Sequence, residues 1–314
     1  MTKYRLRAYI YLLLVAAIWG VAGPVIKYTL PDFPPFIFLS YRFFVSIIFL
    51  LPFVIIKGVK LPKNKRDLIT LIVISLLGSS INLGFLFYGY KYTSVLDASI
   101  LSSSSPLFVV AAGAIFLKEK VTKREKVGLL IAFIGSIAIV IQPLFEGGFF
   151  ALQNLLGNIL IIAANFTWVA YIILSKIELR HKVDPFTITF FAFLLGFLTL
   201  LPPAIIQSGG PGNLVTNILA TPLYPHLGVW YMALLSGNLA YFLYQKGQKS
   251  IEASEATLFT YLSPLFAAPL AVFWLGEKVT TPFVVGVFII ACGVLIAEHK
   301  KGVTKKHKDL KSKK

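Results

Sequence analysis

The chain has 314 residues, of which 57% are hydrophobic and 14% charged, and its mean hydropathy is +0.80. A soluble domain is about 45–50% apolar and about 25% charged, so this composition excludes a water-soluble globular protein. The net charge of +17 does not indicate nucleic acid as a partner, because the basic residues lie between and beyond long apolar runs. One cysteine and four scattered histidines favour neither a disulfide framework nor a metal site, and no cofactor is predicted.

Ten apolar runs are long enough to cross the hydrocarbon core of a bilayer, which takes about 20 helical residues. They predict an all-α polytopic membrane protein with spans at 8–28, 35–56, 68–90, 93–117, 126–142, 152–177, 185–206, 226–247, 253–275 and 281–298. Ten spans of this length fill about two thirds of the chain, which leaves no room for an extramembrane domain.

The positive charges predict the orientation of these spans. Alternate connections together with the two termini hold 26 of the 30 lysines and arginines, whereas the opposite connections hold only Lys27, Lys91 and Lys278. Basic residues stay on the cytoplasmic side, so both termini are predicted to be cytoplasmic in an inner or plasma membrane. Residues 299–314 are predicted to be a basic cytoplasmic tail.

An internal repeat divides the chain into two halves, 8–142 and 152–298. The segment 105–108 (Ser-Pro-Leu-Phe) recurs at 263–266, and the segment 119–122 (Glu-Lys-Val-Thr) recurs at 277–280, both at an offset of 158. At the same offset, Gly128 and Gly135 recur as Gly286 and Gly293. Upstream, Trp19 matches Trp168 and Lys27 matches Lys176 at an offset of 149, and Pro52 matches Pro202 at an offset of 150. Each half holds five spans, an odd number, so the second half enters the membrane from the opposite side. Such inverted repeats are typical of secondary transporters.

These segments resemble the drug/metabolite transporter superfamily, EamA-like branch, over essentially the whole chain outside the tail. Trp19-Gly20, Lys27 and Arg42-Phe43 are similar to the start of an EamA-like unit, and the repeated Ser-Pro-Leu-Phe and Glu-Lys-Val-Thr segments are similar to its end. The resemblance implies ten helices and efflux of small metabolites such as amino acids. Relatives often have a carboxylate where this chain has Ser263, so the resemblance does not extend to a coupling role there.

Polar and aromatic side chains near the predicted midplane are the candidates for a substrate site. Polar groups in hydrocarbon need partners, so these side chains are expected to face one another at the repeat interface. The predicted substrate-binding residues are Trp19, Asn82, Ser102, Ser103, Asn165, Trp168, Asn238, Tyr241, Tyr261 and Ser263. The alternative is that the asparagines and serines only bond neighbouring helices together, and that alternative stays open.

Five further residues are candidates for gating or coupling. Pro106 and Pro264 are expected to interrupt the backbone bonding of their helices and to act as kinks or hinges. Asp97 and Glu255 are repeat-equivalent and are candidates for salt bridges, gate contacts or proton acceptors. Arg42 lies about 10 Å along the second span; it is predicted to face the protein interior and to bond to helix-end carbonyls, Asp32 or Asp97.

The sequence therefore predicts a secondary-active transporter, not an enzyme, that exports a small organic metabolite by alternating access. Few cations lie within the spans, which favours a neutral, zwitterionic or singly charged solute over phosphorylated compounds. Its partners are a small-molecule substrate and the lipid bilayer, and both proton coupling and an oligomer are left open. The alternatives are a nucleotide-sugar, lipid or uncoupled carrier of the same fold, a membrane-embedded enzyme, and a scaffold that does not transport.

Overall fold

The computed structural model describes residues 3–59, 61–62, 64–102, 104–118, 123–141, 149–180, 183–251, 256 and 258–298. Over these residues the protein is a bundle of helices without strands, which confirms the predicted all-α fold. We number the helices by the predicted spans: α1 (Lys3–Thr29), α2 (Pro35–Lys57), α3 (Lys65–Tyr92), α4 (Val95–Phe116), α5 (Lys123–Ile141), α6 (Phe149–Arg180), α7 (Pro185–Ser208), α8 (Leu223–Ser250), α9 (Leu258–Leu262 and Ser263–Phe273) and α10 (Thr281–Glu298). A connecting helix, Pro211–Ala220, lies between α7 and α8.

Seven of the described helices, α1 to α4 and α6 to α8, are long and apolar enough to cross a membrane. The corresponding apolar stretches of α5 and α10 are shorter, at Lys126–Gly135 and Val284–Gly293. The protein is therefore a multi-pass membrane protein, and the count of ten spans stays a prediction.

Local sequence explains where several helices begin. Proline stands in the first turn of α2 and of α7, where its missing N–H costs no helical hydrogen bond. The Asp184 side chain accepts a hydrogen bond from the backbone N–H of Phe186 (3.0 Å), and Asn64 does the same for Arg66 (3.1 Å). Such N-caps satisfy donors that a helix start otherwise leaves unpaired.

Four helices are interrupted within their length. α3 and α8 contain π-helical segments, Leu77–Ile81 and Tyr231–Leu239. α4 breaks between Ser102 and Ser105, and α9 changes from a 3₁₀ helix, Leu258–Leu262, to an α-helix at Ser263. Pro106 and Pro264 lie at two of these interruptions, and their predicted role as hinges stays a prediction. Each proline stands in the first turn of a new helical segment, where a missing N–H removes no bond.

Helix packing follows a pattern that a two-fold relation between the halves produces. α2 packs on α7, α4 on α9 and α5 on α10, so these helices pair with their own repeat equivalents. α1 packs on α8, and its counterpart α6 packs on α3. These contacts are the ones expected if the two halves are related, and the inverted repeat itself stays a prediction.

Lys27 of α1 and Lys176 of α6 lie at opposite ends of the bundle, as the contacts of α6 indicate. Near the start of α6, Asn158 accepts a hydrogen bond from the hydroxyl of Thr93, which lies beside Lys27 at the end of α1. Lys176 follows Asn158 by eighteen residues, a distance of about 27 Å along a helix. The two lysines therefore mark opposite faces of the bundle, which we call the Lys27 face and the Lys176 face.

The start of α6 touches the backbone of the α3–α4 junction at Gly157. A Cβ atom on Gly157 would lie 2.7 Å from the backbone nitrogen of Thr93 and 2.8 Å from the carbonyl carbon of Tyr92. These neighbours are atoms of the backbone, which cannot move aside as the end of a flexible side chain can. A side chain at position 157 would therefore clash, and only glycine fits here.

We expect Gly157→Ala to lower the melting temperature of the purified protein. Overpacking typically costs about 1–3 kcal/mol, which outweighs the gain of about 1 kcal/mol that alanine brings to a helix. Gly84→Ala is the matched control, because a Cβ at that helical position meets no atom within 4 Å. Thermal unfolding in detergent measures both, and equal melting temperatures would contradict the close approach.

Candidate solute-binding chamber

A cavity of about 170 Å³, which we call the chamber, lies between the two halves of the chain. Helices α1, α2, α3, α4, α6, α8 and α9 supply its wall, so both repeats contribute. The predicted candidates that line it are Trp19, Arg42, Asn82, Ser102, Asn165, Trp168, Tyr241 and Ser263. The structure thus brings most of the predicted midplane residues around one space.

The two chamber asparagines also join helices to one another. The amide nitrogen of Asn82 donates to the carbonyl of Ala164 (2.6 Å), and that of Asn165 donates to the carbonyl of Leu101 (2.9 Å). The Leu101 carbonyl lies at the break in α4, where it also accepts hydrogen bonds from the backbone N–H (3.1 Å) and the hydroxyl (2.7 Å) of Ser104. Each asparagine thus keeps its side-chain oxygen as the group able to accept a hydrogen bond from a solute.

Aromatic rings close the chamber towards the Lys176 face. The rings of Trp19 and Trp168 meet edge to face with centroids 5.3 Å apart, and Tyr241 lies 5.6 Å from Trp19. Tyr171 and Tyr244, each one turn further towards the Lys176 face, are buried and pack against Trp168 at 4.9 and 5.6 Å. We call these five residues the aromatic cluster.

The π-helical segments orient this aromatic cluster. Trp19 Nε1 donates to the carbonyl of Ser236 (3.0 Å), and the Tyr241 hydroxyl donates to the carbonyl of Gly78 (3.0 Å). The two acceptors are 158 residues apart, the repeat offset, and each lies in a π segment. π-Helical turns are frequent at functional sites, and here they present carbonyls to the chamber rings.

Arg42 lies in the chamber wall with only 1% of its surface exposed. Among the residues that the structure describes, none accepts a hydrogen bond from its buried Nε, Nη1 or Nη2. The rings of Phe43 and Phe87 lie beside the guanidinium, with centroids 5.6 and 6.0 Å from Cζ. The predicted bond from Arg42 to a helix-end carbonyl, Asp32 or Asp97 is therefore wrong. The guanidinium is enclosed at depth, whereas Asp32 is exposed before α2.

A lysine ties three elements together at the Lys27 face. Lys27 Nζ donates to the backbone carbonyls of Tyr90 (2.8 Å) and Thr93 (2.6 Å), at the end of α3 and in the turn that follows.

A carboxylate lies at the same face. The partly buried Glu277, which follows α9, accepts from the first two N–H groups of α4, with Oε1 2.7 Å from the nitrogen of Val95. Glu277 thereby holds α4 from the other half of the chain.

The same lysine contact recurs at the Lys176 face. Buried Lys176 donates from Nζ to the carbonyls of Gln248 (2.6 Å) and Ile251 at the end of α8. These acceptors lie 158 residues after those of Lys27, so the repeat preserves the whole contact and not only the lysine.

Other predicted residues lie elsewhere. Asn238 is buried against α2, where its amide donates to the Ser46 carbonyl (3.2 Å), so its predicted place in the chamber is wrong. Asn238 lies in the π segment of α8, where successive side chains are turned by a different angle than in the regular α-helix assumed in the prediction. Asp97 is half-buried in the first turn of α4, outside the chamber lining. Ser103, Glu255 and the side chain of Tyr261 lie outside the described residues.

The sequence analysis missed several chamber residues, among them Tyr90, Ser99, Ser105 and Ser236. Ser99 was open to prediction, because it lies one helical turn before Ser102 and shares its face. Ser236 was not, since the π segment that presents its carbonyl has no signal in residue spacing.

These features define a multi-pass helical membrane protein with a solute-sized chamber between two related halves. The model of the EamA-like transporter family matches residues 6–141 and again residues 155–297. The chain belongs to the EamA-like transporter family, which confirms the resemblance seen in its motifs.

Relatives agree with this assignment, and a solved structure shares the fold. An uncharacterized transporter of Archaeoglobus fulgidus is 29% identical over 94% of this chain and 98% of its own length. The uncharacterized transporter YyaM of Bacillus subtilis is 26% identical over 93% of each chain. A protein crystal structure with 17% identity has a TM-score of 0.61 over 95% of this chain and 98% of the other, which shows the shared fold. The protein is a transporter.

Proposed function

We propose that this transporter exports a small organic metabolite, an amino acid or a related compound, by alternating access through the chamber. One observation carries the proposal: both halves line the chamber, and the aromatic cluster packs on the side of the chamber nearer the Lys176 face. A binding space at the repeat interface, closed towards one face, is what alternating access requires.

The size of the chamber favours a small solute over a nucleotide sugar. Pockets for drug-sized ligands hold about 300–1,000 Å³, whereas this chamber holds about 170 Å³. A nucleotide sugar also carries at least two negative charges, which favour several basic groups. Among the described lining residues, Arg42 alone is a cation.

Transport itself is testable with the full chain in liposomes. Counterflow of labelled L-phenylalanine, L-leucine and L-threonine, with and without a pH gradient, reports both exchange and proton coupling. Saturable exchange above protein-free liposomes is expected for at least one solute. Absence of exchange for all three would contradict the proposed substrate class, and Asp97→Asn tests whether that carboxylate carries any pH dependence.

The closed state predicts one-sided access to the chamber. In a Cys292→Ser background, Ser99→Cys is expected to react with a membrane-impermeant maleimide much faster from the Lys27 face. The reason is that the aromatic cluster lies between the chamber and the Lys176 face. Exposed Lys91→Cys and Lys249→Cys mark the two faces, and the positive-inside pattern makes the Lys27 face the outer one.

Labelling of intact cells and of inverted vesicles provides the two directions. Equal rates for Ser99→Cys from both sides, unchanged by any solute, would contradict a chamber that opens to one face at a time. If Ser99→Cys reacted faster from the side that labels Lys249→Cys, the chamber would be open to the Lys176 face and closed towards the Lys27 face.

A further inference from the structure

We propose that Arg42 is the anchor for a carboxylate of the solute, so that the chamber selects small monoanionic or zwitterionic carboxylates with an apolar body. The inference deepens the proposed function, and its transport consequence rests on that function. It depends on the burial of Arg42, on its unpaired guanidinium and on the composition of the chamber wall.

An unpaired guanidinium at this depth is costly unless it serves a ligand. Arginine carries five N–H donors and stays charged in proteins, and burying a charge without partners is strongly unfavourable. Arg42 is 1% exposed, and no described residue accepts a hydrogen bond from its three nitrogens. The rings of Phe43 and Phe87 offset only part of this cost, because cation–π contacts at 5.6 and 6.0 Å supply no acceptor.

The chamber is the adjoining space from which an acceptor can come. Arg42 belongs to the chamber wall together with Met232, Ser236 and Tyr241 of α8. Its nitrogens are covered in this structure, so the head group must turn to meet a ligand, and no hydrogen bond to a described residue has to break for that turn. Gly237 lies directly beside the head group, since a Cβ there would be at contact distance, 3.4 Å, from Nη2.

The chemistry of the wall selects a carboxylate with an apolar body. A single guanidinium matches the two oxygens of one carboxylate in a bidentate pair. Arg42 is the one cation among the described lining residues, so the chamber suits a solute with one carboxylate. The rest of the wall offers indole and phenol rings and the aliphatic side chains of Leu83 and Leu86. An apolar or aromatic solute body fits these surfaces.

Binding of matched probes to the purified protein tests this assignment without a transport assay. Phenylacetate and phenylacetamide share shape and differ in charge, and inorganic phosphate controls for general anion binding. Phenylacetate is expected to raise the melting temperature, and phenylacetamide and phosphate are expected to have little effect. Isothermal titration is expected to show a Kd at least about tenfold weaker for Arg42→Gln, as for loss of a charge-assisted pair.

Variants separate a ligand role from a structural one. Arg42→Gln without ligand is expected to melt at the same or a higher temperature, because it removes an unpaired buried charge. A hidden structural ion pair would instead make this variant melt lower. Arg42→Lys keeps the charge without the planar fork and is expected to bind phenylacetate with intermediate affinity, and exposed Lys91→Gln is expected to bind like the parent protein.

The outcomes distinguish failure of this inference from failure of the proposed function. Equal binding of phenylacetate and phenylacetamide, or undiminished phenylacetate binding by folded Arg42→Gln, would overturn the anchor even if the liposomes transport a solute. If Arg42→Gln does not fold, equal affinity of Arg42→Lys and the parent protein would overturn it. Charge-selective, Arg42-dependent binding without counterflow would support the anchor and leave the transport proposal contradicted.

Discussion

Replacing Lys176 with methionine is expected to lower the stability of the protein by about 2–4 kcal/mol and to abolish most of its transport. The change removes the charged donor of two backbone carbonyls, those of Gln248 and Ile251, at the end of α8. Both carbonyls then lose a charge-assisted bond in a buried place, whereas methionine keeps the apolar length of the side chain. Thermal unfolding in detergent and counterflow in liposomes measure the two effects.

Lys249→Met is the matched control, because Lys249 belongs to the same helix but is exposed. Surface substitutions of this kind change stability by about 0.5 kcal/mol or less. If Lys176→Met behaved like Lys249→Met in both assays, the contact at the Lys176 face would have no role in holding α6 to α8.

The sequence predicts the outline of this fold well because the membrane imposes a simple rule on it. Span boundaries follow from apolar length, and the predicted span 35–56 agrees with the helix Pro35–Lys57. The repeat also predicts pairs of equivalent residues, and the contacts of Lys27 and Lys176 show that equivalence extends to hydrogen bonds. Length and repetition are both properties that a single sequence displays.

The composition of the chamber was only partly predictable, since its geometry depends on irregular backbone. Trp19, Asn165 and Trp168 were found by depth alone, as mid-span polar or aromatic residues. Asn238 has the same depth, yet the π segment of α8 directs it to α2. Residue spacing carries no sign of such a segment.

Arg42 shows a different limit. The sequence predicts an interior position from the cost of a charge in lipid, and the structure places Arg42 in the interior. Its expected partners were helix-end carbonyls, Asp32 or Asp97. A missing partner cannot be deduced from sequence, because only the packed structure shows which groups come within reach of the guanidinium.

The second large effect is expected at the opposite face, for Glu277→Leu. Its carboxylate accepts the backbone N–H groups of Val95 and Leu96, at 2.7 and 3.0 Å, so leucine leaves both donors of the first turn of α4 unpaired. We expect a loss of about 2–4 kcal/mol, because bonds to a charged group contribute about 1.5–3 kcal/mol each and the partial exposure of Glu277 reduces their sum. Glu277→Gln keeps one acceptor and is expected to lose about half as much.

Lys278→Leu is the control for Glu277→Leu, because Lys278 is the exposed next residue. Thermal unfolding separates the variants, and maleimide labelling of Ser99→Cys shows which face each contact closes. Glu277→Leu is expected to speed labelling from the Lys27 face alone, and Lys176→Met from the Lys176 face alone. The two contacts lie at opposite ends of the bundle, so loss of either is expected to widen only the entrance at its own face. Faster labelling from both faces in either variant would mean general loosening of the bundle and would contradict separate closures.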